Sequence, residues 1–216
     1  MFFYGGRTSI GNANSPFYDG QYFADAEDVI VVTVNYRLNI FGFPGAPGNI
    51  NNLGFRDQRL AVEWVRDNAA VFGGDSSKIT IFGQSSGGVA VDYWSYAYTE
   101  DPIVSGLISQ SGNALSFPMN PEELTLNNWY NVSAELDCGS EGDTVPCMRT
   151  KDWQDILAAA GNLPNSVGDN PTRSIPPFYP RPDDEVVFEN YTELALAGEF
   201  AKLVSPQSSS SNYNSH

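Results

Sequence analysis

The sequence predicts an α/β fold in which a doubly wound, mostly parallel sheet is covered by helices on both faces. Three strand-like runs support this prediction. A continuous β-branched run at 28–34 is typical of a strand buried on both faces. Two shorter strands are predicted at 78–82 and 106–110. Helical patterns lie between them, and this alternation is that of parallel crossover units.

The first helix is predicted from Asp57 to Val71, where apolar side chains recur at the spacing of one helix face. These side chains, with one polar residue at the same spacing, are Leu60, Ala61, Trp64, Val65 and Asn68. Gly73 and Gly74 follow as a stop signal. A second helix is predicted from about Ser86 to Tyr98. These two helices would cover the strands that they connect.

Beyond Phe117 the periodic patterns are shorter. The segments predicted there are helices that begin near Pro121 and Lys151, an extended proline-rich stretch at 176–182, a short strand at 186–188 and a helix at 193–200. From Leu203 onward the composition shifts to a serine-rich, low-complexity tail. No internal repeat is found.

The most informative motif is the GQSSGG stretch at 83–88, which follows the second predicted strand. A serine at such a strand-to-helix corner exposes its Oγ, because Gly83 and Gly87 lack side chains that would collide there. The helix that begins near Ser86 directs free backbone N–H groups at the same point, where an oxyanion could be stabilised. The sequence therefore predicts Ser85 as a nucleophile.

An anion-binding loop is the competing interpretation of the same glycines, since glycines before a helix N-terminus also suit phosphate. However, no lysine follows Gly88, and the chain contains no G-x-G-x-x-G pattern. The nucleophile is favoured over the phosphate loop.

The motifs resemble those of the type B carboxylesterase family, which includes cholinesterases and fungal lipases. The matching segments are Tyr4-Gly5-Gly6, 35–43 (NYRLNIFGF), Gly48-Asn49, 53–61 (LGFRDQRLA), 64–68 (WVRDN), 72–88 and 109–112 (SQSG). The resemblance implies an α/β-hydrolase fold that is incomplete here, truncated at both ends. It implies a partial carboxylesterase domain over 1–202, followed by the tail at 203–216.

The resemblance also implies an activity, the hydrolysis of a small-molecule carboxylic ester through an acyl-enzyme on Ser85, with no cofactor and no metal. It implies an oxyanion hole formed by Gly5, Gly6 and the Ser86 N–H. Arg7 stands where the family usually has a third glycine. This arginine is interpreted either as ordinary loop surface or as a side chain that narrows the pocket or contacts an acyl carboxylate.

The base and the acid of a serine hydrolase cannot be assigned from this sequence. Serine needs a histidine base that is itself oriented by a carboxylate, and the family order is serine, acid, histidine. The one histidine, His216, ends the low-complexity tail, where nothing would hold an imidazole rigidly. The carboxylates considered as the acid are interpreted as solvated surface groups; they are Asp137, Glu185, Glu189, Glu193 and Glu199.

Other residues near these motifs allow two interpretations. Gln84 replaces a glutamate common in cholinesterases, which argues against a choline ester. Ser111 is predicted to be a buried hydrogen-bonding serine behind the site. Asp57 is interpreted as a buried ion-pair partner of Arg37 or Arg59, or as a helix N-terminal carboxylate. For the aromatic residues after the elbow, core packing is preferred over substrate contact; they are Tyr93, Trp94, Tyr96 and Tyr98.

Cys138 and Cys147, the only cysteines, are predicted to form a loop disulfide similar to a short one in the family. Free thiols in a reducing cytosol are the alternative. Asn131 and Asn190 begin glycosylation tripeptides, which agree with secretion. No signal peptide is visible after Met1, so the secreted location depends on the resemblance and the chain is interpreted as a fragment.

The composition of the chain limits the classes of molecule that it could bind. The 216 residues carry a net charge of −15, which argues against a nucleic-acid partner. The acidity is interpreted as solubility in an extracellular medium, or alternatively as steering of a cationic substrate. No membrane-spanning segment is predicted, and the oligomeric state is left open.

A non-catalytic binding or adhesion module is the alternative function, but the chain retains Ser85 with its glycines, which favours the enzyme.

Overall fold

A computed structural model describes residues 1–166 and 174–203 of the chain. Within these residues, three strands form one parallel sheet: β1 (Phe2–Phe3), β2 (Thr80–Gln84) and β3 (Gly106–Gln110). β2 lies in the centre and pairs in parallel with both neighbours. The predicted α/β class with a parallel sheet is confirmed.

The described residues also form eight helices. They are α1 (Gln21–Glu27), α2 (Asn39–Gly42), α3 (Leu53–Asn68), α4 (Ser86–Ala97), α5 (Glu122–Glu135), α6 (Val145–Met148), α7 (Trp153–Gly161) and α8 (Tyr191–Ala197). Short 3₁₀ turns occur at Pro16–Tyr18, Ala69–Phe72 and Ser76–Lys78. α4 contacts all three strands, so the element that follows the serine lies at the centre of the fold.

Two main apolar clusters hold these elements together, besides a small group formed by Phe2, Tyr4 and Tyr36. The larger cluster joins α4 to the sheet and to α3, and its fully buried side chains include Phe3, Ile81, Val62 and Val91. The smaller cluster joins α5, α6 and α7, around Val132. As predicted, Tyr93 and Trp94 are buried in the larger cluster, and Tyr96 and Tyr98 pack against it.

The strand predicted at 28–34 does not form. This segment makes one isolated parallel bridge, between Thr33 and Phe2. Val29 and Ile30 are 42% and 49% exposed, so the segment is not covered on both faces. The one strand that this segment pairs with among the described residues, β1, has two residues, and a strand needs a partner with free backbone groups along its whole length.

The apolar face predicted for α3 is partly wrong. The helix begins at Leu53 rather than Asp57, and its core side includes Phe55 and Val62. Leu60 and Trp64 point away from that side and are 66% and 54% exposed. The predicted stop is correct: the chain continues through a 3₁₀ turn to Gly73, which has φ 82°.

The remaining predictions mostly agree with the structure. β3 has its predicted bounds, α5 and α7 begin near the predicted positions, and 176–182 forms no helix. The segment 186–188 is buried in part but forms no strand, and no strand among residues 1–166 and 174–203 pairs with it. α8 (Tyr191–Ala197) begins two residues before the predicted helix at 193–200 and ends three residues before it. Residues 204–216, with His216, lie outside the described residues.

No helix in the described part of the chain has the length and apolar character needed to cross a membrane.

Candidate active site

Ser85 connects β2 to α4 in a backbone conformation that few non-glycine residues adopt, with φ 57° and ψ −123°. Its N–H donates a hydrogen bond of 2.9 Å to the carbonyl of Gln110 at the end of β3. Its carbonyl accepts one of 3.0 Å from the N–H of Val89 in α4. The strained corner is therefore fixed from both sides, as the elbow motif predicts.

The glycines around Ser85 are required by close backbone contacts. A Cβ on Gly83 would overlap with the carbonyl of Gly87, and a Cβ on Gly87 would overlap with the carbonyl of Phe3. A Cβ on Gly112 would overlap with the carbonyl of Ser85 itself. These contacts draw β1, the corner and the end of β3 together at the carboxyl ends of the strands, where ligands bind in open α/β sheets.

Gly5 and Gly6 lie beside the serine. A Cβ added to Gly5 would be 2.6 Å from the Gln84 carbonyl oxygen and 3.0 Å from the Ser85 Cβ. Gly6 has φ 126°, and its carbonyl accepts two hydrogen bonds in a tight turn, from the N–H groups of Ser9 and Ile10. The structure thus brings Gly5 and Gly6 to Ser85, next to Ser86 at the start of α4.

The loop after Gly6 is tied to α4. Arg7 and Thr8 both have φ 57°, two successive left-handed non-glycine residues. The Thr8 N–H donates to the Ser86 Oγ at 3.3 Å, and the Thr8 carbonyl accepts from the Asn39 N–H at 2.8 Å. These bonds offset the strain of the loop. Sequence reasoning missed Thr8 and Asn39, because the bonds join residues that lie far apart in the chain.

Ser85 is half-buried and opens into a cleft of about 470 Å³. One wall is the loop that carries Gly6 and Arg7, and the opposite wall is the end of α7 with the proline-rich stretch. The described lining residues are Gly6, Arg7, Ser9, Ile10, Asn39, Ser85, Ala160, Gly161, Leu163, Asn165, Pro176 and Pro177. Such a mostly apolar cleft with a few polar groups is typical of a small-molecule site.

Buried tyrosines next to this region have a structural role. The Tyr36 hydroxyl donates to the Tyr4 carbonyl at 2.5 Å, and the two rings stack with centroids 4.5 Å apart. Burial raises the pKa of Tyr36 far above its ordinary value and also raises that of Tyr179. These phenols stay neutral at physiological pH, so neither supplies a phenolate.

Asp92 is a partly buried carboxylate on α4. It accepts a hydrogen bond of 2.7 Å from the N–H of Ala114, in the loop after β3. Burial raises the pKa of Asp92, and the bond from Ala114 opposes this effect. The carboxylate forms no ion pair with a described residue. It connects α4 to the loop that contains Gly112, so it supports the corner indirectly.

The prediction for Ser111 is wrong. β3 ends at Gln110, and Ser111 turns outward with φ 55° and is exposed. The buried serine behind the site is Ser109, whose Oγ donates to the Gly88 carbonyl at 2.9 Å and also contacts the Gly112 carbonyl. Strand alternation would place Ser109 and Ser111 on one face, but the strand ends between them.

The ion pair of Asp57 forms with Arg37, whose side chain donates two hydrogen bonds of 2.8 and 2.6 Å and whose backbone N–H donates a third of 3.0 Å. The prediction that this pair is buried is wrong, because the Arg37 side chain is 49% exposed. Arg59 instead pairs with Glu63 at 2.8 Å and with Asp101 at 2.7 Å.

No described carboxylate lines the cleft. All five carboxylates considered as the acid are exposed, as predicted, namely Asp137, Glu185, Glu189, Glu193 and Glu199. The acid and the base therefore stay unassigned, and His216 lies outside residues 1–166 and 174–203. Over those same residues, no cluster of three or more His, Cys, Asp or Glu side chains could hold a metal ion.

The predicted disulfide between Cys138 and Cys147 is confirmed, with the two Cα atoms 5.5 Å apart. It closes the loop between α5 and α6. Asn131 and Asn190 are both exposed. The Asn190 Oδ1 caps α8 by accepting a hydrogen bond of 3.1 Å from the Glu193 N–H, while glycosylation of either asparagine stays a prediction.

A serine with positive φ between a parallel strand and a helix, with a glycine loop against it, is typical of the α/β-hydrolase class. Comparison with known proteins leads to the same class. Residues 1–204 match the model of the carboxylesterase family. The chain belongs to the carboxylesterase family.

Individual relatives are similar over most of this chain. Secreted lipase 5 of Gibberella zeae is 38% identical over 214 residues, which cover 94% of this chain and 39% of the lipase. Chlorogenic acid esterase of Aspergillus niger is 38% identical over 202 residues, covering 92% and 38%. Cholinesterase of Mus musculus is 39% identical over 167 residues, covering 73% and 27%. The chain spans less than half the length of each of these relatives.

Proposed function

We propose that this chain is the nucleophile-bearing part of a secreted carboxylic ester hydrolase. The observation that carries the proposal is the backbone of Ser85, held at φ 57° at the mouth of a cleft with Gly5 packed against it. A fold maintains such a conformation when function requires an exposed hydroxyl at a strand-to-helix corner. The names of two fungal relatives, a secreted lipase and an esterase, support the same chemistry and location.

In the proposed reaction, the Ser85 Oγ attacks the ester carbonyl carbon while a base takes its proton. The N–H groups of Gly5, Gly6 and Ser86 stabilise the oxyanion. The carbon–oxygen bond to the alcohol then breaks, and the alcohol leaves with the proton. Water hydrolyses the acyl-enzyme, and the acid is released with Ser85 restored.

The chain by itself is proposed to be catalytically incomplete. No described residue supplies an imidazole near Ser85, and an unassisted serine hydroxyl is a poor nucleophile. We expect p-nitrophenyl butyrate to be hydrolysed only slowly by this chain.

The test supplies the missing base from solution. We expect added imidazole to raise p-nitrophenyl butyrate hydrolysis above the rate of imidazole alone, because it can accept the Ser85 proton in the cleft. Ser85→Ala should abolish that protein-dependent increment. Ser111→Ala, which changes a nearby exposed serine that also has positive φ, should preserve it.

Two outcomes would overturn parts of the proposal. An equal imidazole-dependent increment in Ser85→Ala would remove the nucleophile and favour a non-catalytic binding module. Fast hydrolysis without imidazole that depends on Ser85 would show that the chain contains a base of its own.

A further inference from the structure

Arg7 is the one charged residue among the described residues that line the Ser85 cleft. Most arginines of the described chain pair with carboxylates; these are Arg37, Arg56, Arg59, Arg66 and Arg181. Arg7 forms no ion pair with any described carboxylate, although the chain carries 26 acidic residues against 11 basic ones. An unneutralised guanidinium at the cleft of so acidic a protein calls for an explanation.

The backbone of Arg7 is held in place. Its carbonyl accepts hydrogen bonds from the Thr8 Oγ1 at 2.6 Å and from the Ser9 Oγ at 3.2 Å. Thr8 is bonded in turn to Ser86 at the start of α4. The position of Arg7 is therefore coupled to the corner that carries Ser85.

The guanidinium is also oriented. Its Nη1 donates to the Ser174 Oγ at 3.2 Å, across from the glycine loop. That bond uses one of the five N–H donors of an arginine. The walls beside it are largely apolar, with Leu163, Pro176 and Pro177 among the lining residues. Arg7 itself is exposed at the rim of the cleft, so its remaining donors are open to a ligand and dissolved salt can screen its charge.

We propose that Arg7 is a specificity residue which binds a carboxylate on the substrate, so that the cleft favours esters with a free carboxylate over neutral esters. This inference rests on the proposed function of Ser85. A planar guanidinium suits a carboxylate because two parallel hydrogen bonds can form. The carboxylate can belong to the acyl part or to the alcohol part of the ester.

Binding of small esters tests the proposal without requiring turnover. For the acyl side, the probes are monomethyl succinate and its neutral partner dimethyl succinate. For the alcohol side, they are acetoxyacetate and its neutral partner methyl acetoxyacetate. NMR titrations at pH 7 and low salt would give the dissociation constant of each probe, and the pair with the larger ratio would identify the side.

We expect the anionic probe of at least one pair to bind about tenfold more tightly than its neutral partner, the size of one hydrogen bond to a charged group. Arg7→Gln should reduce the ratio to about one, and Arg7→Lys should retain part of it. Added salt should weaken only the anionic probe. Arg149→Gln is the matched control, because Arg149 is exposed, unpaired with described carboxylates and outside the described cleft lining.

Equal affinities within both pairs, or ratios unchanged by Arg7→Gln, would overturn the proposal. If Arg7→Gln fails to fold, the proposal is tested by the salt dependence of the unaltered chain and by the affinity ratios of Arg7→Lys. Ser85→Ala should bind the probes like the unaltered chain, which separates this test from that of the nucleophile. If imidazole does not raise hydrolysis but Arg7→Gln still removes the preference for anionic probes, only the proposed chemistry of Ser85 is refuted. If imidazole raises hydrolysis but Arg7→Gln leaves the preference unchanged, only the proposed role of Arg7 is refuted.

Discussion

Gly5 determines most directly how closely the glycine loop approaches Ser85. Its Cβ would meet the Gln84 carbonyl oxygen at 2.6 Å, and backbone cannot yield as a flexible side chain would. We expect Gly5→Ala to lower the free energy of unfolding by about 1–3 kcal/mol, measured by urea denaturation. We also expect it to abolish the imidazole-dependent hydrolysis. Gly161→Ala is the control for the unfolding measurement alone, because nothing lies within 4 Å of its added Cβ but the residue lines the cleft.

A Gly5→Ala protein as stable and as responsive to imidazole as the unaltered chain would contradict this account of the loop.

Asp92 makes stability depend on pH. Burial raises its pKa in the folded state, so the folded chain holds the proton more tightly than the unfolded chain. The contribution of Asp92 to the free energy of unfolding is therefore fully present at low pH. It is lost as the pH rises from the ordinary carboxyl pKa through the raised pKa of the folded state. We expect Asp92→Asn, which keeps an acceptor for the Ala114 N–H, to be more stable than the unaltered chain at pH 7.

Urea denaturation between pH 4 and pH 8 measures this effect, and the advantage of Asp92→Asn should shrink toward pH 4. The tyrosines that interact with Asp92 stay neutral throughout this range; they are Tyr93, Tyr96 and Tyr191. Asp67→Asn serves as the control, because the hydrogen bond from Arg66 lowers the pKa of the exposed Asp67. No gain at pH 7 in Asp92→Asn would refute the burial argument.

Among the elements, the loop between α5 and α6 gives a clear prediction. The disulfide from Cys138 to Cys147 restricts the unfolded chain, and a ring of this size contributes about 2–3 kcal/mol by the chain-entropy estimate. We expect Cys138→Ser with Cys147→Ser to lose that stability in thermal or urea unfolding, without changing the response to imidazole. Mass mapping without reduction that finds two alkylatable thiols in oxidatively produced, folded protein would contradict the prediction.

The elements also explain which parts of the fold the sequence could predict. β2, β3 and α4 lie close to their predicted positions, because period, glycines and turn residues there all indicate the same structure. The segment 28–34 has the composition of a strand, but strand formation also depends on a partner, and β1 is short. Periodicity identified α3 and correctly placed Ala61 and Val65 against the core, but it also assigned the exposed Leu60 and Trp64 to the core.

Part of the candidate site could likewise be predicted from the sequence, and part could not. The backbone corner at Ser85 with its glycines could be predicted, because local geometry requires those residue types at that spacing, while the role of Ser85 as nucleophile stays a prediction. The contacts of Thr8 with Asn39 and Ser86 could not be predicted, because they join residues that lie far apart along the chain. The outward turn of Ser111 depends on where β3 ends, and element ends are the least predictable feature of a sequence.

For the molecule as a whole, exposed apolar side chains at 10–23 predict self-association. Phe17 is 95% exposed and Tyr22 is 84% exposed, and Ile10 and Phe23 in the same segment are also exposed. Exposed apolar side chains that come close together on a surface favour association. We expect Phe17→Ser with Tyr22→Ser to raise the monomer fraction in sedimentation velocity and to reduce binding of a hydrophobic dye. The polar exchange Asn14→Ser, in the same exposed segment, should change neither quantity.

A concentrated solution of the unaltered chain that sediments as a monomer and binds no dye would refute this prediction.

The two glycosylation tripeptides differ in when an enzyme could reach them. Ser133, the hydroxyl residue of the Asn131 tripeptide, is fully buried inside α5, whereas Thr192 of the Asn190 tripeptide is exposed. Asn190 also caps α8 through Oδ1, which leaves its Nδ2, the atom that carries a glycan, free of that bond. A sugar could therefore be added at Asn190 after folding, but at Asn131 only while α5 is unformed. In a secretory host, glycopeptide mapping should find higher occupancy at Asn190, and slower folding should raise the occupancy at Asn131.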